Sequence, residues 1–300
     1  MKVAIVGATG KTGTSIVQGL LASRSPHYLS YGHPPYQNLR FLSFEKKGVK
    51  ILAANLSGPK DELAELLMGI DVVIATLDVP NFRSQIALAS AAKVAGVKRF
   101  VPCSFATIVP PKGILVLQDT KEDVLNHIKR IHLPYTVIDI GWWFQLSLPR
   151  LPSGRIDYAV SHPISFIAGE GNIPSAITDL KDVGKYVARI IADPQTLNRM
   201  IFAYSEIFTQ NQVYKLLERL SGETLERNYV SADAIRAEVA EADAKIAENA
   251  TAYGKIVMYQ YYHSWGVRGD NTPEYARYLG YIIAKELYPD LKGNTLAAYI

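Results

Sequence analysis

A glycine-rich turn near the start of the chain restricts the fold more than any other feature. Gly7-Ala8-Thr9-Gly10-Lys11-Thr12-Gly13 stands directly between an apolar run, Val3 to Val6, and a stretch with helical spacing at Ile16, Val17, Leu20 and Leu21. In a strand–turn–helix unit of this kind the first glycine allows the tight turn. The second lets backbone approach a pyrophosphate, the third lets helix and strand pack closely, and the helix N-terminus attracts the anion. Gly7, Thr9, Gly10, Lys11, Thr12 and Gly13 are therefore expected to bind a dinucleotide. The spacing is GxxGxxG rather than the commoner GxGxxG. Gly10-Lys11-Thr12 also looks like the end of a P-loop, but Gly-x-x-x-x-Gly-Lys requires glycine where Ile5 stands, which argues against a nucleotide triphosphatase.

The first half of the chain continues as alternating short β runs and helical segments. Strands are predicted at 49–52, 71–77, 99–102 and 135–140, with helices from 57 to 67, 82 to 95 and 120 to 131. Repeated βα units of this length predict an α/β fold, a Rossmann-type doubly wound parallel sheet. After Gly141 the pattern changes: 142–176 is rich in Pro, Gly and aromatic residues, and helices are predicted over 178–192, over 209–221 with a Thr-x-x-Gln capping box, and from Ser231 onward. The expected organisation is a dinucleotide-binding domain over 1–150 and a smaller, mostly helical substrate lobe over 151–300. The two are interleaved, with 177–205 returning to the first.

Composition excludes several classes. The 48% hydrophobic and 20% charged fractions are those of a globular protein, and the net charge of +4 comes from scattered Lys and Arg, so nucleic acid is not an expected partner. Cys103 is the only cysteine, which rules out an internal disulfide and a cysteine-clustered zinc site. The histidines show no metal-ligand spacing. The apolar start is too short for a signal-peptide core, and no apolar run approaches the roughly 18 residues that span a bilayer. A cytoplasmic protein with a small-molecule substrate and no membrane partner is expected.

The second strand bears on cofactor choice. NAD enzymes place an acidic residue at its end to hold the ribose hydroxyls. Here no Asp or Glu precedes Glu45, whereas His33, Arg40, Lys46 and Lys47 are available to a 2′-phosphate, so NADP(H) is favoured. Residues 28–36, YLSYGHPPY, make a poor strand with Pro34 and Pro35 at its end. Thr76 with Leu77, and Ser104 with Phe105, follow strands and are expected beside the cofactor ribose or amide.

Several segments in order make the chain resemble the NmrA-like and isoflavone reductase-like family of atypical short-chain dehydrogenases. They are GATGKTG at 7–13, GIDVVIATL at 69–77, AAKVAGVKRFVP at 91–102, KEDVLNHIKRIHLPYTVI at 121–138 and ITDLKDVGKYVARIIADP at 177–194. The resemblance implies an NADPH-using reductase with substrate held between the Rossmann part and a C-terminal lobe. It departs from the pattern at Cys103-Ser104-Phe105-Ala106, where the family often has Ser-Glu-Phe-Gly, and at Gly32-His33, where an arginine is usual. The family also includes regulators that bind NADP or NAD as sensors.

The resemblance makes Lys121 the proton-handling residue. A physical reason points the same way: with Asp119 or Thr120 read as the helix N-cap, Lys121 falls in the first turn, where the dipole disfavours a cation and should lower its pKa. Nearby phosphates would push it back up. The short-chain dehydrogenase pair Tyr-x-x-x-Lys occurs only as Tyr281 and Lys285, read as a helix face. Trp142, Trp143 and Phe144 follow a predicted strand and are expected to form a wall for a flat, apolar substrate. Tyr262, grouped with Tyr259, Tyr261 and Trp265, is expected to help close the pocket. The expected activity is hydride transfer to a C=C, C=O or C=N bond. The alternatives are a non-catalytic redox sensor and a net non-redox isomerase or cyclase.

Overall fold

The computed structural model describes residues 1–23, 28–32, 39–244 and 250–300. They form two compact units, one of 1–105, 120–138 and 180–201, the other of 106–119, 139–179 and 202–300.

In the first unit β1 (Val3–Val6), α1 (Lys11–Ala22), β2 (Tyr28–Gly32), α2 (Leu39–Glu45), β3 (Lys50–Ala53), α3 (Lys60–Leu67), β4 (Val72–Ala75), α4 (Gln85–Val94) and β5 (Arg99–Val101) alternate, α2 having no counterpart among the helices expected from the sequence. The strands form one parallel sheet in the order β3-β2-β1-β4-β5. β2 pairs on both sides, so its weak local pattern is overridden by neighbours that satisfy its backbone groups. Pro34 and Pro35 lie outside the described residues.

Helices cover both faces of the sheet, as the unbroken burial of β1 and β4 requires. On one face Ala4, Val6, Val73 and Phe100 pack with Leu63, Leu67, Leu88, Val124 and Ile128. At roughly 1.5–3 kcal/mol per fully buried large aliphatic side chain, this cluster is a main source of the unit's stability. Elsewhere in the unit α1 meets α6 (Leu180–Ala192) at Gly19 and Gly184. A Cβ on Gly19 would lie 2.1 Å from the Gly184 carbonyl carbon, and the Gly184 N–H donates to Ser15 Oγ at 3.0 Å. Arg99 fastens the end of α6, donating to the carbonyls of Ile190 and Asp193 and to Thr196 Oγ1.

One boundary differs from its periodicity. Helix α5 runs Val116–Arg130, a turn earlier than the expected start near Thr120. The Gln118 and Asp119 N–H groups already reach the Leu115 carbonyl, and Asp119 accepts from the Gly113 N–H at 3.2 Å.

The second unit is built around short strands and helices. After β6 (Thr136–Asp139), whose first three residues belong to the first unit, Gly141 leads to β7 (Trp142–Trp143), which runs parallel to the strand Ser175–Thr178, itself antiparallel to Glu206–Phe208. Helix Gln210–Ser221 starts with the expected capping box, Thr209 and Gln212 each closing on the other's backbone. The tail is less helical than its pattern: a π-helical segment, Tyr262–Arg268, is followed by short helices and the strand Ile282–Ile283. Tyr281 and Lys285 therefore do not share a helix face. Tyr281 Oη donates to Asp139 Oδ2 at 2.8 Å, while Lys285 Nζ donates to the Ser205 carbonyl and lies 4.3 Å from the Tyr204 ring centroid.

Candidate functional site

The sheet order reverses between β1 and β4, the switch point at whose carboxyl edge open α/β sheets bind ligands. The glycine turn stands there. Gly7 has φ of +86°, and a Cβ on it would lie 2.3 Å from the Thr76 carbonyl oxygen; a Cβ on Gly13 would lie 2.4 Å from the Gly7 carbonyl oxygen. The Gly10 N–H closes on the Gly7 carbonyl at 3.0 Å, turning the chain into α1. No side chain caps that helix, and its first turn carries no acidic residue. The glycines thus let the turn pack directly on β4 and α1, at a helix start that favours an anion.

The other residues expected at this edge take defined places. Thr76 is buried and donates through Oγ1 to the Val6 carbonyl at 2.8 Å, tying β4 to β1 beside the turn. Lys11 is exposed, and Thr9, Thr12 and Leu77 are half-buried. Arg40, in the first turn of α2, donates from Nη1 to the Thr9 carbonyl, placing a guanidinium on the rim of the glycine turn. His33 lies outside the described residues.

Past β5, Cys103 to Phe105 follow a constrained path. Gln85, fully buried, accepts from the Cys103 N–H at 2.7 Å and donates to the Phe82 carbonyl, a role that nothing in its sequence context signals. Phe105 adopts φ of +37°, is buried, and donates its N–H to the Ile138 carbonyl. Half-buried Ser104 turns its carbonyl to Lys121, whose Nζ donates to it at 3.2 Å. Lys121 is only 8% exposed, so it is a buried ammonium held by a neutral acceptor and not a surface side chain. It lies in the second turn of α5, which removes the first-turn placement expected from sequence. The turn, Thr76, Arg40, Ser104 and Lys121 all belong to the first unit.

The expected substrate wall belongs to the second unit, and most of it is packed inside. The Trp142 ring lies 5.2 Å from Tyr261 and 5.5 Å from Trp265, with its Nε1 donating to the Leu146 carbonyl at 3.0 Å. Phe144 is fully buried, edge-on to Tyr299 at 5.7 Å. Tyr262 is buried 4.5 Å from the Phe166 ring, and burial pushes its hydroxyl up to about 12. Trp143 alone of the four is half-buried. Among the described residues no cluster of His, Cys, Asp or Glu has metal-binding geometry, and no helix is long and apolar enough to cross a membrane.

The chain is similar to known proteins along its length. Over 308 aligned residues, covering all of this chain and 94% of the relative, it is 43% identical to the asnovolin J 5′,6′-dehydrogenase of Aspergillus novofumigatus. An isoflavone reductase-like protein of Olea europaea is 28% identical, with all of this chain and 97% of that one covered. The fold matches the leucoanthocyanidin reductase–NADPH complex from Vitis vinifera with a TM-score of 0.83 at 22% identity, over 99% of this chain and 97% of that one. The NmrA-like family model spans residues 1–299, and the chain belongs to that family.

Proposed function

We propose that the protein is an NADP(H)-dependent oxidoreductase that transfers hydride at a carbon of a sizeable, largely apolar small molecule, with Lys121 handling the accompanying proton. The observation that carries this reading is the glycine turn packed on Thr76 at the sheet's switch point, with Arg40 on its rim. A Cβ at Gly7 or Gly13 would strike the backbone of Thr76, Gly7 or Ala8, so only glycine lets the turn pack this closely between β1, β4 and α1, the arrangement that presents a helix N-terminus to a pyrophosphate. Gly7, Thr9, Gly10, Lys11, Thr12 and Gly13 would hold the pyrophosphate, and Arg40, with His33, would hold the 2′-phosphate. Thr76, Leu77, Ser104 and Phe105 would line the ribose and nicotinamide end.

When bound, NADP(H) supplies the hydride donor or acceptor. Lys121 holds the proton at Nζ, oriented by the Ser104 carbonyl, and exchanges it with the substrate atom or with a water beside it. Its burial excludes competing solvent from that exchange. A carbon–carbon bond is the favoured reacting bond, because the 43%-identical relative is named for a 5′,6′-dehydrogenation. Of the aromatic group, Trp143 is the residue left to meet substrate; Trp142, Phe144 and Tyr262 support it from within their own unit.

Calorimetric titration with NADPH, NADP⁺ and NADH in parallel tests the cofactor reading: selective binding of the NADP forms is expected, and preference for NADH would overturn it. Lys121→Met should lower turnover at least ~100-fold while leaving NADPH affinity within about threefold. Full turnover in that variant would remove Lys121 from the chemistry.

A further inference from the structure

We propose that the second unit holds one structural water beneath Trp265, and that this water ties the π-helical segment to the strands carrying Trp142 and Trp143. A cavity of about 20 Å³ is lined by Ser147, Ser175, Gln210, the rings of Trp142 and Trp265, half-buried Thr209 and apolar neighbours that include Ile177. One water needs roughly 10–15 Å³ of such space, so the cavity takes one molecule and nothing larger. Trp265 is 3% exposed, and its indole Nε1–H is buried without an acceptor from the protein. That departs from the rule for buried donors and from its neighbour Trp142, whose Nε1 reaches the Leu146 carbonyl.

The chemistry of the lining selects the guest. Ser147 Oγ spends its proton on the Trp143 carbonyl at 2.7 Å and keeps a lone pair. Ser175 Oγ accepts from Asn271 Nδ2 at 2.8 Å, which leaves its own proton to donate. Gln210 Oε1 accepts from the Ala168 N–H and retains a second lone pair. The lining thus offers two donors, the Trp265 indole and the Ser175 hydroxyl, and two acceptors, Ser147 Oγ and Gln210 Oε1. A metal cation wants acceptors only, a halide wants donors only, and an apolar guest leaves the indole N–H unmet. Water satisfies both kinds at once. All four residues are more than nine-tenths buried, so the polar atoms that would hold the molecule belong to the interior of the unit.

The bonded water would connect four elements, Gln210 standing at the start of the helix Gln210–Ser221. Trp265 sits in the wide turn Tyr262–Arg268, Ser147 lies just beyond β7, and Ser175 begins the strand that pairs with β7. The tilted Trp142–Trp265 contact at 5.5 Å is then fixed by a hydrogen-bonded bridge as well as by ring packing.

The test uses the full-length, ¹⁵N-labelled protein and reads magnetisation transfer from water to the indole N–H groups. The chain has three tryptophans, and Trp265→Phe and Trp143→Phe assign the three signals. If Trp265→Phe fails to fold, Trp142→Phe and Trp143→Phe assign Trp265 by elimination. A direct water cross-peak is expected at Trp265 and none at Trp142, and Ser175→Ala should abolish the Trp265 cross-peak. A crystal structure that resolves ordered solvent should place a water oxygen about 3 Å from Trp265 Nε1. A Trp265 signal without a water cross-peak, or an indole N–H bonded to a protein carbonyl, overturns the proposal.

Discussion

The glycine turn of the first unit and the aromatic cluster of the second were both conspicuous in the sequence, yet they meet different fates. At the turn, residues are constrained by backbone geometry: Gly7 stands at positive φ against the Thr76 carbonyl, and Lys11 and Gly10 stay exposed. In the cluster, side chains are consumed by one another, and Trp142, Phe144 and Tyr262 give up their surface to Tyr261, Trp265, Tyr299 and Phe166. A motif defined by what cannot be there, a Cβ, is fixed by backbone packing and leaves its outer residues at the surface. A motif defined by apolar bulk is as readily used to build a core.

The sharpest test of that contrast compares adjacent residues of β7. Trp142→Ala should cost about 3–5 kcal/mol of unfolding free energy, because it empties a packed site and strands a carbonyl partner. Trp143→Ala, at a half-buried position, should cost about 1 kcal/mol or less and instead raise KM. Chemical denaturation with parallel kinetics separates them, and equal stability losses would erase the distinction. At the turn, Gly7→Ala forces a Cβ onto backbone that cannot yield. It should weaken NADPH binding at least ~100-fold and lower Tm together, whereas Lys11→Ala should lower affinity with Tm unchanged.

Protonation provides a smaller effect, to which Tyr262 contributes beside other buried tyrosines such as Tyr204 and Tyr214. Burial raises the Tyr262 hydroxyl to about 12 from an ordinary value of 10, so the folded state holds this proton more tightly than the unfolded chain does. The resulting stability is complete below pH 10 and is lost as pH rises from 10 through 12. For a shift of that size the loss is about 2–3 kcal/mol. Urea denaturation across this window should show a decline in Tyr262→Phe that is smaller than the parent's by about that amount. A matching decline in the variant would assign the loss to other tyrosines.

The two regions also differ in how far local sequence reveals them. The strand–turn–helix grammar from Val3 to Leu20 is local, so the turn and its place on the sheet could be read directly. β2 is a strand because β1 and β3 flank it, a fact its own residues, with Pro34 and Pro35 following, do not carry. The early start of α5 depends on Leu115 and Gly113 contacts that lack a capping signature. The partners that bury Trp142 and Phe144 lie far along the chain, and Gln85 reveals its hold on Cys103 only after folding. Lys121 was found through resemblance to a family, and its buried contact with Ser104 is a different environment from the first helical turn.

Arg40 gives the smallest predicted effect and the most discriminating one. The rim of the glycine turn carries its guanidinium on the Thr9 carbonyl, a neutral acceptor. A 2′-phosphate is a stronger partner for a guanidinium than a carbonyl is, since both members of the pair are charged. Arg40→Ala should therefore weaken NADPH about tenfold, near 1.4 kcal/mol, and leave NADH within about twofold. Arg40→Lys should fall between, because lysine keeps the charge and loses the fork. Equal losses for both cofactors would mean that Arg40 braces the turn through Thr9 without reading the phosphate. Selectivity would then reside with His33, Lys46 or Lys47, and the comparison of the two cofactors across those variants would locate it.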